Sequence, residues 1–275
     1  MIYINGVIER QSEVRIDPAD RGFTLGDGLF ETLRAYRGRP FRLADHLERL
    51  ARAAAEINLP LPLDAPAIAE AVTEVLAANR LHDRDAAIRI TLSRGTGPRG
   101  LAPPADPRPT LVISAVAYAP LPELCSATLV GIRRNEGSPL SRMKSLAAMD
   151  NVLAAGEAAK RGAEEAILLN NGGRVACGAR ANLFALIDDR LVTPPISDGV
   201  LPGIARLVVL DLAAALHVAV EETALLPADL DRAREILLTN SLFEIRSVGR
   251  FDGRELGTDV IGAKLRADYR QMAMA

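Results

Sequence analysis

The chain has 275 residues, of which 49% are hydrophobic and 25% charged, a composition typical of a globular protein that buries a core. Its formal net charge of -2 gives no basic field for a nucleic-acid backbone or an anionic membrane. No apolar stretch reaches membrane-spanning length, and the N-terminus lacks the pattern of a signal peptide. The sequence therefore favours a cytoplasmic protein whose partner is a small molecule.

Cysteine, histidine and lysine are scarce, which limits the disulfides, metal sites and reactive amines that the chain could form. Two separated cysteines, Cys125 and Cys177, and three histidines predict neither a disulfide framework nor a metal site. The 33 Lys+Arg residues include only three lysines, Lys144, Lys160 and Lys264. A reaction that needs a primary amine therefore has few candidates in this chain.

The first 118 residues alternate between strand and helix patterns. Asn-Gly pairs supply the positive φ values of tight hairpins, apolar residues at helical spacing predict amphipathic helices, and period-two alternation predicts strands. The predicted elements are a hairpin at Asn5-Gly6, helices over 43–57 and 68–76, and strands over 87–92 and 111–117 around a glycine-rich loop at 94–100.

Two prolines near residue 120 interrupt this pattern and predict a linker over 119–123 between lobes of residues 1–118 and 124–275. The whole chain is expected to be α+β, with a small N-terminal lobe and a larger β-rich C-terminal lobe flanked by helices. The second lobe should contain strands at 128–133, 166–169 and 183–187, a hairpin at 170–173, helices at 146–160, 204–216 and 259–272, and strands near Val218 and Ile236.

A glycine-rich run over 21–32 precedes a predicted helix that carries His46 and Arg49. A lone glycine cluster is a weak signal, but the order of these elements resembles the N-terminal signature of the fold-type IV pyridoxal-phosphate enzymes. That family includes branched-chain and D-amino-acid transaminases and aminodeoxychorismate lyase. The resemblance implies that Arg49 binds the phosphate of the cofactor, pyridoxal 5'-phosphate; the alternative is a solvated helix arginine.

Lys144 lies where a predicted strand gives way to a predicted helix, whereas Lys160 and Lys264 lie on helices and are most simply solvated. The segment Met143-Lys144-Ser145-Leu146 resembles the cofactor-lysine segment of the family. The resemblance implies that Lys144 holds the cofactor covalently and then acts as the general base, with a pKa lowered by its surroundings.

A Pro-Gly pair at 202–203 opens a predicted helix, whose free N–H groups and dipole favour an anion. The run 201–206 resembles the family's Leu-Pro-Gly phosphate motif, and the segment after the predicted strand at 235–238 resembles a second phosphate cradle. The cofactor residues implied by these motifs are Leu201, Gly203, Ile204, Ala205, Asn240 and Ser241.

The segment 175–184 matches the family at Asn182 but departs from it five residues earlier. The family has a glutamate there that hydrogen-bonds the pyridine nitrogen, and this chain has Cys177. A thiol is a weak hydrogen-bonding group, so the cofactor ring should be a weaker electron sink. Arg180, where the family has a small residue, is expected to reach the ring or a substrate carboxylate, or else to form a structural ion pair.

Three segments, 26–32, 94–100 and 238–242, favour 4-amino-4-deoxychorismate lyase within the family. Its substrate has two carboxylates, for which Arg94 and Arg99, with Arg34 behind them, are the predicted ligands. Thr32 is expected to assist proton delivery.

Two other functions stay open at this stage. An aminotransferase of D- or branched-chain amino acids would use Arg34 and Arg94 for its substrate carboxylate. A cofactor-binding protein without catalysis would explain Cys177 and Arg180. The resemblance also implies a homodimer with the active site between the two lobes.

Overall fold

The structure is a computed structural model that describes residues 1–257 and 259–275. The predicted α+β fold is confirmed, and the chain forms two compact units. Unit 1 comprises Met1–Ala119 with Met143–Ala148, and unit 2 comprises Pro120–Arg142 with Met149–Ala275. The predicted boundaries differ from this division, because they placed the whole of 124–275 in the second lobe.

Unit 1 is built on a six-stranded sheet in the order β2-β1-β6-β5-β3-β4. The predicted hairpin is confirmed, with Asn5 and Gly6 at φ values of 46° and 99° between the first two strands. The strands are β1 (Ile2–Ile4), β2 (Val7–Glu9), β3 (Gly28–Tyr36), β4 (Arg39–Pro40), β5 (Ala86–Ser93) and β6 (Thr110–Ala117).

Three helices belong to unit 1: α1 (Arg21–Leu25), α2 (Leu43–Glu56) and α3 (Ala65–Ala78). The predictions for α2 and α3 are confirmed, and their apolar faces are buried in one core with Leu29 and Leu33 of β3. The buried face of α2 also carries two polar side chains, His46 and Arg49. A buried arginine needs a partner for its charge, and the partner of Arg49 is Glu31 of β3.

The segment Met143–Ala148 belongs to unit 1 because it hydrogen-bonds along the edge of β3. The Phe30 N–H donates to the Lys144 carbonyl at 2.9 Å, and the Leu146 N–H donates to the Gly28 carbonyl at 2.9 Å. These bonds, with a bridge between Ser145 and Leu29, hold the segment beside β3. The helix predicted from residue 146 therefore begins at Met149, and that part of the prediction is wrong.

Unit 2 contains a mixed sheet in the order β12-β11-β10-β13-β14-β7-β8-β9, with β15 beside β14. β7 runs parallel to both β8 and β14, and the hairpin predicted at 170–173 joins β8 to β9. The strands are β7 (Leu124–Arg134), β8 (Glu165–Asn170), β9 (Val175–Gly178), β10 (Asn182–Ile187), β11 (Arg190–Thr193), β12 (Val220–Glu222), β13 (Glu235–Asn240), β14 (Glu244–Phe251) and β15 (Arg254–Glu255).

The helices of unit 2 are α4 (Met149–Lys160), α5 (Ile204–Ala215), α6 (Pro227–Arg232) and α7 (Val260–Met274). The start of α7 is held by the buried Glu235 carboxylate, which accepts from the N–H groups of Val260, Ile261 and Gly262 at 2.9–3.1 Å. Over the residues that the structure covers, none of the helices is both long and apolar enough to cross a membrane.

Candidate active site

Lys144 lies over one face of β3, beside an aromatic ring that it shares with an arginine. Its Nζ is 4.4 Å from the centroid of the Phe30 ring, and the Cζ of Arg89 is 3.9 Å from the same centroid. Arg89 is the cross-strand partner of Thr32, which points to the same face as Phe30 two residues along β3. Lys144, Phe30, Thr32 and Arg89 form the group that we call the amine cluster.

Sequence reasoning predicted Lys144 and Thr32 as site residues but missed Arg89. The run 87–92 predicts a strand, and an arginine on its less buried face carries no functional signal of its own. Arg89 joins the amine cluster through the pairing of β5 with β3. That register depends on the whole sheet.

Glu31, His46 and Arg49 form a buried charge cluster between β3 and α2. Arg49 donates from Nε to Glu31 Oε1 at 2.8 Å and from Nη2 to Glu31 Oε2 at 2.6 Å, and His46 Nδ1 is 2.7 Å from the same Oε2. Glu31 and His46 are each 1% exposed. Two donors from one guanidinium edge and one from an imidazole therefore converge on a single carboxylate.

The protonation states of this cluster follow from burial and hydrogen bonding. Burial pushes the pKa of Glu31 upward, but hydrogen bonds from His46 and Arg49 and their charges outweigh it and lower the pKa to about 2. Burial lowers the pKa of His46, although its hydrogen bond to Glu31 acts in the opposite direction. At neutral pH Glu31 is ionised, and a neutral His46 donates its Nδ1–H to it.

Glu31 should make the free energy of unfolding depend on pH in the acid range. A carboxyl whose pKa falls from 4.5 to about 2 on folding stabilises the fold by about 3 kcal/mol above pH 4.5, and this contribution is lost between pH 4.5 and 2. Urea unfolding of Glu31→Gln should show that loss already at pH 7 and a flatter dependence below pH 4.5. Glu48→Gln, on the exposed side of α2, is the matched control; an unchanged acid profile in Glu31→Gln would contradict this assignment.

Arg94 is engaged by the protein itself. Its Nε donates to Asp27 Oδ2 at 2.9 Å, and its Nη1 and Nη2 donate to the carbonyls of Asn58 and Ile57 at 2.9 and 3.0 Å. Arg21 donates to the same Asp27 at 2.8 Å. The structure therefore differs from the prediction of Arg94 as a substrate ligand, because its guanidinium is buried and fastens the 94–100 loop.

The other predicted substrate arginines lie in different surroundings. Arg34 pairs with Asp85 at 2.6 Å and lies between the rings of Tyr36 and Tyr118, 4.4 and 4.1 Å from their centroids. The substrate-binding role of Arg34 stays a prediction. Arg99 is exposed in the loop between β5 and β6.

Arg180 donates from Nε and Nη2 to Glu165 Oε1 at 2.8 and 2.5 Å. Glu165 is 1% exposed whereas Arg180 is 55% exposed, so the arginine neutralises a buried carboxylate. Of the two roles expected for Arg180, the structure shows the ion pair.

The start of α5 in unit 2 is arranged for an anion. Its N-cap is Gly203, which has no side chain to accept from the first turn, and the N–H groups of that turn belong to residues such as Ile204 and Ala205. A Cβ at Gly203 would lie 2.0 Å from Asn182 Oδ1. Asn182 also donates from Nδ2 to the Leu201 carbonyl at 2.8 Å, so this side chain shapes the turn that precedes the helix.

Gly203→Ala should therefore disturb the turn. The added methyl must displace Asn182, which costs about 1–3 kcal/mol in a packed site. Thermal unfolding measures this loss of stability. Gly156→Ala is the matched control, since a Cβ there meets nothing within 4 Å; equal behaviour of the two variants would contradict the prediction.

The end of β13 offers further polar groups. Asn240 Oδ1 accepts from the N–H groups of Leu242 and Phe243 at 2.9 Å each, and its Nδ2 donates to the Arg180 carbonyl at 3.1 Å. The buried Thr239 Oγ1 has no hydrogen-bond partner among the described atoms. A rigid turn that includes Ser241 and a buried hydroxyl without a partner fit a polar ligand such as a phosphate.

Cys177 lies in an apolar wall at the end of β9. It is 7% exposed and packs with Ala176 and Val200. Burial raises the pKa of its thiol although the charge of Arg134 lowers it, so the sulfur is protonated at neutral pH. Arg134 donates to the carbonyls of Gly199 and Ser141 at 3.1 and 2.7 Å. The charge that acts on the Cys177 thiol is therefore positive.

Comparison with known proteins assigns the chain to a family. Residues 28–251 match the model of class IV amino-transferases. The chain is similar to a putative branched-chain-amino-acid aminotransferase of Methanocaldococcus jannaschii, at 35% identity over 98% of this chain and 96% of the relative. It is also similar to the aminodeoxychorismate lyase of Bacillus subtilis, at 31% identity over 89% and 84%.

A solved branched-chain aminotransferase of Thermoproteus uzoniensis superposes with a TM-score of 0.93 at 30% identity, over 99% of this chain and 94% of that one. The chain belongs to the class IV aminotransferase family, and its fold is that of the fold-type IV enzymes. Members of this family depend on pyridoxal phosphate. Within unit 1 the half-buried Lys144 offers an amine that fits such a cofactor, and within unit 2 the start of α5 offers N–H groups that fit a phosphate.

Proposed function

We propose that the protein is a 4-amino-4-deoxychorismate lyase, which converts its substrate into 4-aminobenzoate and pyruvate. The observation that carries the proposal is Cys177, a buried neutral thiol where the family resemblance expects a carboxylate. Pyridoxal phosphate, when bound, binds the substrate amine covalently and withdraws electrons from the carbon that bears it. A thiol in place of the carboxylate weakens that withdrawal of electrons.

The two family reactions place different demands on the electron sink. In the lyase reaction the amine-bearing carbon loses its proton, the neighbouring carbon–oxygen bond breaks, enolpyruvate leaves, and the ring becomes aromatic. Aromatisation supplies much of the driving force. In transamination no leaving group departs, so the electron pair left on the amine-bearing carbon must be stabilised until a proton is delivered at a different atom. A weak sink therefore impairs transamination more than elimination.

The amine cluster supplies the groups that act on the substrate. Lys144 would hold the cofactor and then take the proton from the amine-bearing carbon, and Thr32 would deliver a proton to the departing enolpyruvate oxygen. Arg89, which contacts the same Phe30 ring as Lys144, would bind a substrate carboxylate, with Arg99 as a second candidate. The proposed cofactor residues are Arg49, Cys177, Asn182, Leu201, Gly203, Ile204, Ala205, Asn240 and Ser241.

Arg89→Gln tests the new assignment. Loss of a charge-assisted bond to a carboxylate should raise KM for aminodeoxychorismate at least about tenfold, with a smaller change in kcat. Arg52→Gln, on an exposed position of α2, is the control. Unchanged kinetics in Arg89→Gln would show that another residue binds the substrate carboxylate.

An aminotransferase of branched-chain or D-amino acids is the second candidate. The observation in its favour is the 35% identity to a putative branched-chain aminotransferase, which exceeds the 31% identity to the lyase relative. For either reaction the proposal includes a homodimer in the cytoplasm, as the family resemblance implies.

A product assay separates the two candidates. The purified holoenzyme is given aminodeoxychorismate, and 4-aminobenzoate and pyruvate are measured. Parallel reactions contain leucine or D-alanine with 2-oxoglutarate, and glutamate is measured. The proposal expects equal amounts of 4-aminobenzoate and pyruvate. Glutamate formation without 4-aminobenzoate would establish the aminotransferase instead.

A further inference from the structure

Glu31 holds Arg49 by one edge of its guanidinium. The two hydrogen bonds, from Nε at 2.8 Å and from Nη2 at 2.6 Å, use the side-on edge. A planar guanidinium held by two atoms cannot rotate about either bond. Its remaining N–H groups therefore have a fixed direction, set by a carboxylate on β3 rather than by the helix that carries Arg49.

His46 fixes the carboxylate in turn. Its Nδ1 lies 2.7 Å from Glu31 Oε2, the oxygen that also accepts from Arg49 Nη2. Three donors thus share two oxygens, and the three side chains are nearly excluded from water. Such an arrangement has few alternatives, because any rotation leaves a buried donor without an acceptor.

We propose that Glu31 is a positioning residue that aims Arg49 at the phosphate of pyridoxal phosphate, with His46 holding the Glu31 carboxylate in place. This inference rests on the proposed cofactor role of Arg49. It assigns a function to the acidic residue of β3, which the sequence analysis did not single out.

Charge alone makes the opposite prediction. Glu31 cancels the positive charge of Arg49, so its removal would strengthen the attraction for a phosphate if charge decided affinity. Orientation should decide instead. A glutamine at this position offers one acceptor and one donor group where Glu31 offers two acceptors, so at least one bond to Arg49 is lost and the guanidinium is released from its fixed direction.

The test compares two ligands of the apoprotein, pyridoxal phosphate and pyridoxal, which lacks the phosphate. The dissociation constant of pyridoxal divided by that of pyridoxal phosphate measures the contribution of the phosphate to affinity. This ratio is independent of the folded fraction, because both ligands bind the same preparation. Glu31→Gln should reduce this ratio at least tenfold. Glu31→Asp, which keeps both acceptor oxygens, should give an intermediate ratio, and Glu48→Gln should leave it unchanged.

A double variant shows whether Glu31 acts through Arg49. Arg49→Gln should reduce the ratio, and adding Glu31→Gln to it should reduce the ratio no further. An unchanged or increased ratio in Glu31→Gln would overturn the proposal, as would additive losses in the double variant or an unchanged ratio in Arg49→Gln. No substrate is used, so these outcomes are independent of the lyase assignment.

Discussion

Lys144→Ala should abolish the visible absorbance of the bound cofactor and reduce turnover by roughly 10³-fold or more, because in the proposed function one side chain supplies both the covalent anchor and the base. The amine is half-buried over Phe30, and its backbone is fixed along β3. The backbone bonds do not involve the amine, and the substitution removes only the half-exposed contact of Nζ with the Phe30 ring. The variant should therefore fold normally.

Lys160→Ala and Lys264→Ala are matched controls for this prediction. Both lysines are exposed on helices, α4 and α7, and both variants should keep the absorbance and the activity of the parent. Absorption spectra of the purified holoproteins give the comparison. A visible band that survives in Lys144→Ala and disappears in Lys160→Ala would refute the assignment.

Cys177→Glu should increase transamination relative to elimination by roughly tenfold or more. A carboxylate that faces the pyridine nitrogen stabilises its protonated form and strengthens the electron sink. Arg134 acts electrostatically on position 177, so a new carboxylate there would find a compensating charge. Glutamate formed from 2-oxoglutarate and 4-aminobenzoate formed from aminodeoxychorismate give the two rates.

Cys177→Ala is the control for the carboxylate. It removes the thiol without adding a charge, so the ratio of the two reactions should stay near that of the parent. If Cys177→Glu gives the same ratio as Cys177→Ala, position 177 does not set the reaction. The mechanistic argument for the lyase would then be lost.

Much of the fold could be predicted because its elements have regular apolar patterns. Helices α2 and α3 each bury one apolar face, and β5 alternates between buried and less buried residues up to Leu92. β14 was missed, since its buried positions include Glu244 and Arg246, whose charges hide the strand pattern. The late start of α4 also escaped prediction, because it depends on backbone bonds between β3 and a segment more than 100 residues away.

Site residues of a rare type could be predicted from the sequence. Residues whose role depends on a partner elsewhere in the fold could not. Lys144 could be singled out because lysines are scarce. The sequence did not show that Asp27 and Asp85 engage Arg94 and Arg34, since ion-pair partners are set by the fold. Arg89 was missed for the same reason.

The central claim, that Lys144 carries the cofactor, can be tested by reducing the holoenzyme with borohydride, which fixes pyridoxal phosphate on the lysine that holds it. Peptide mass spectrometry then locates the modified residue among the three lysines of the chain. We expect the phosphopyridoxyl group on Lys144 alone. A group on Lys160 or Lys264, with Lys144 unmodified, would contradict the claim.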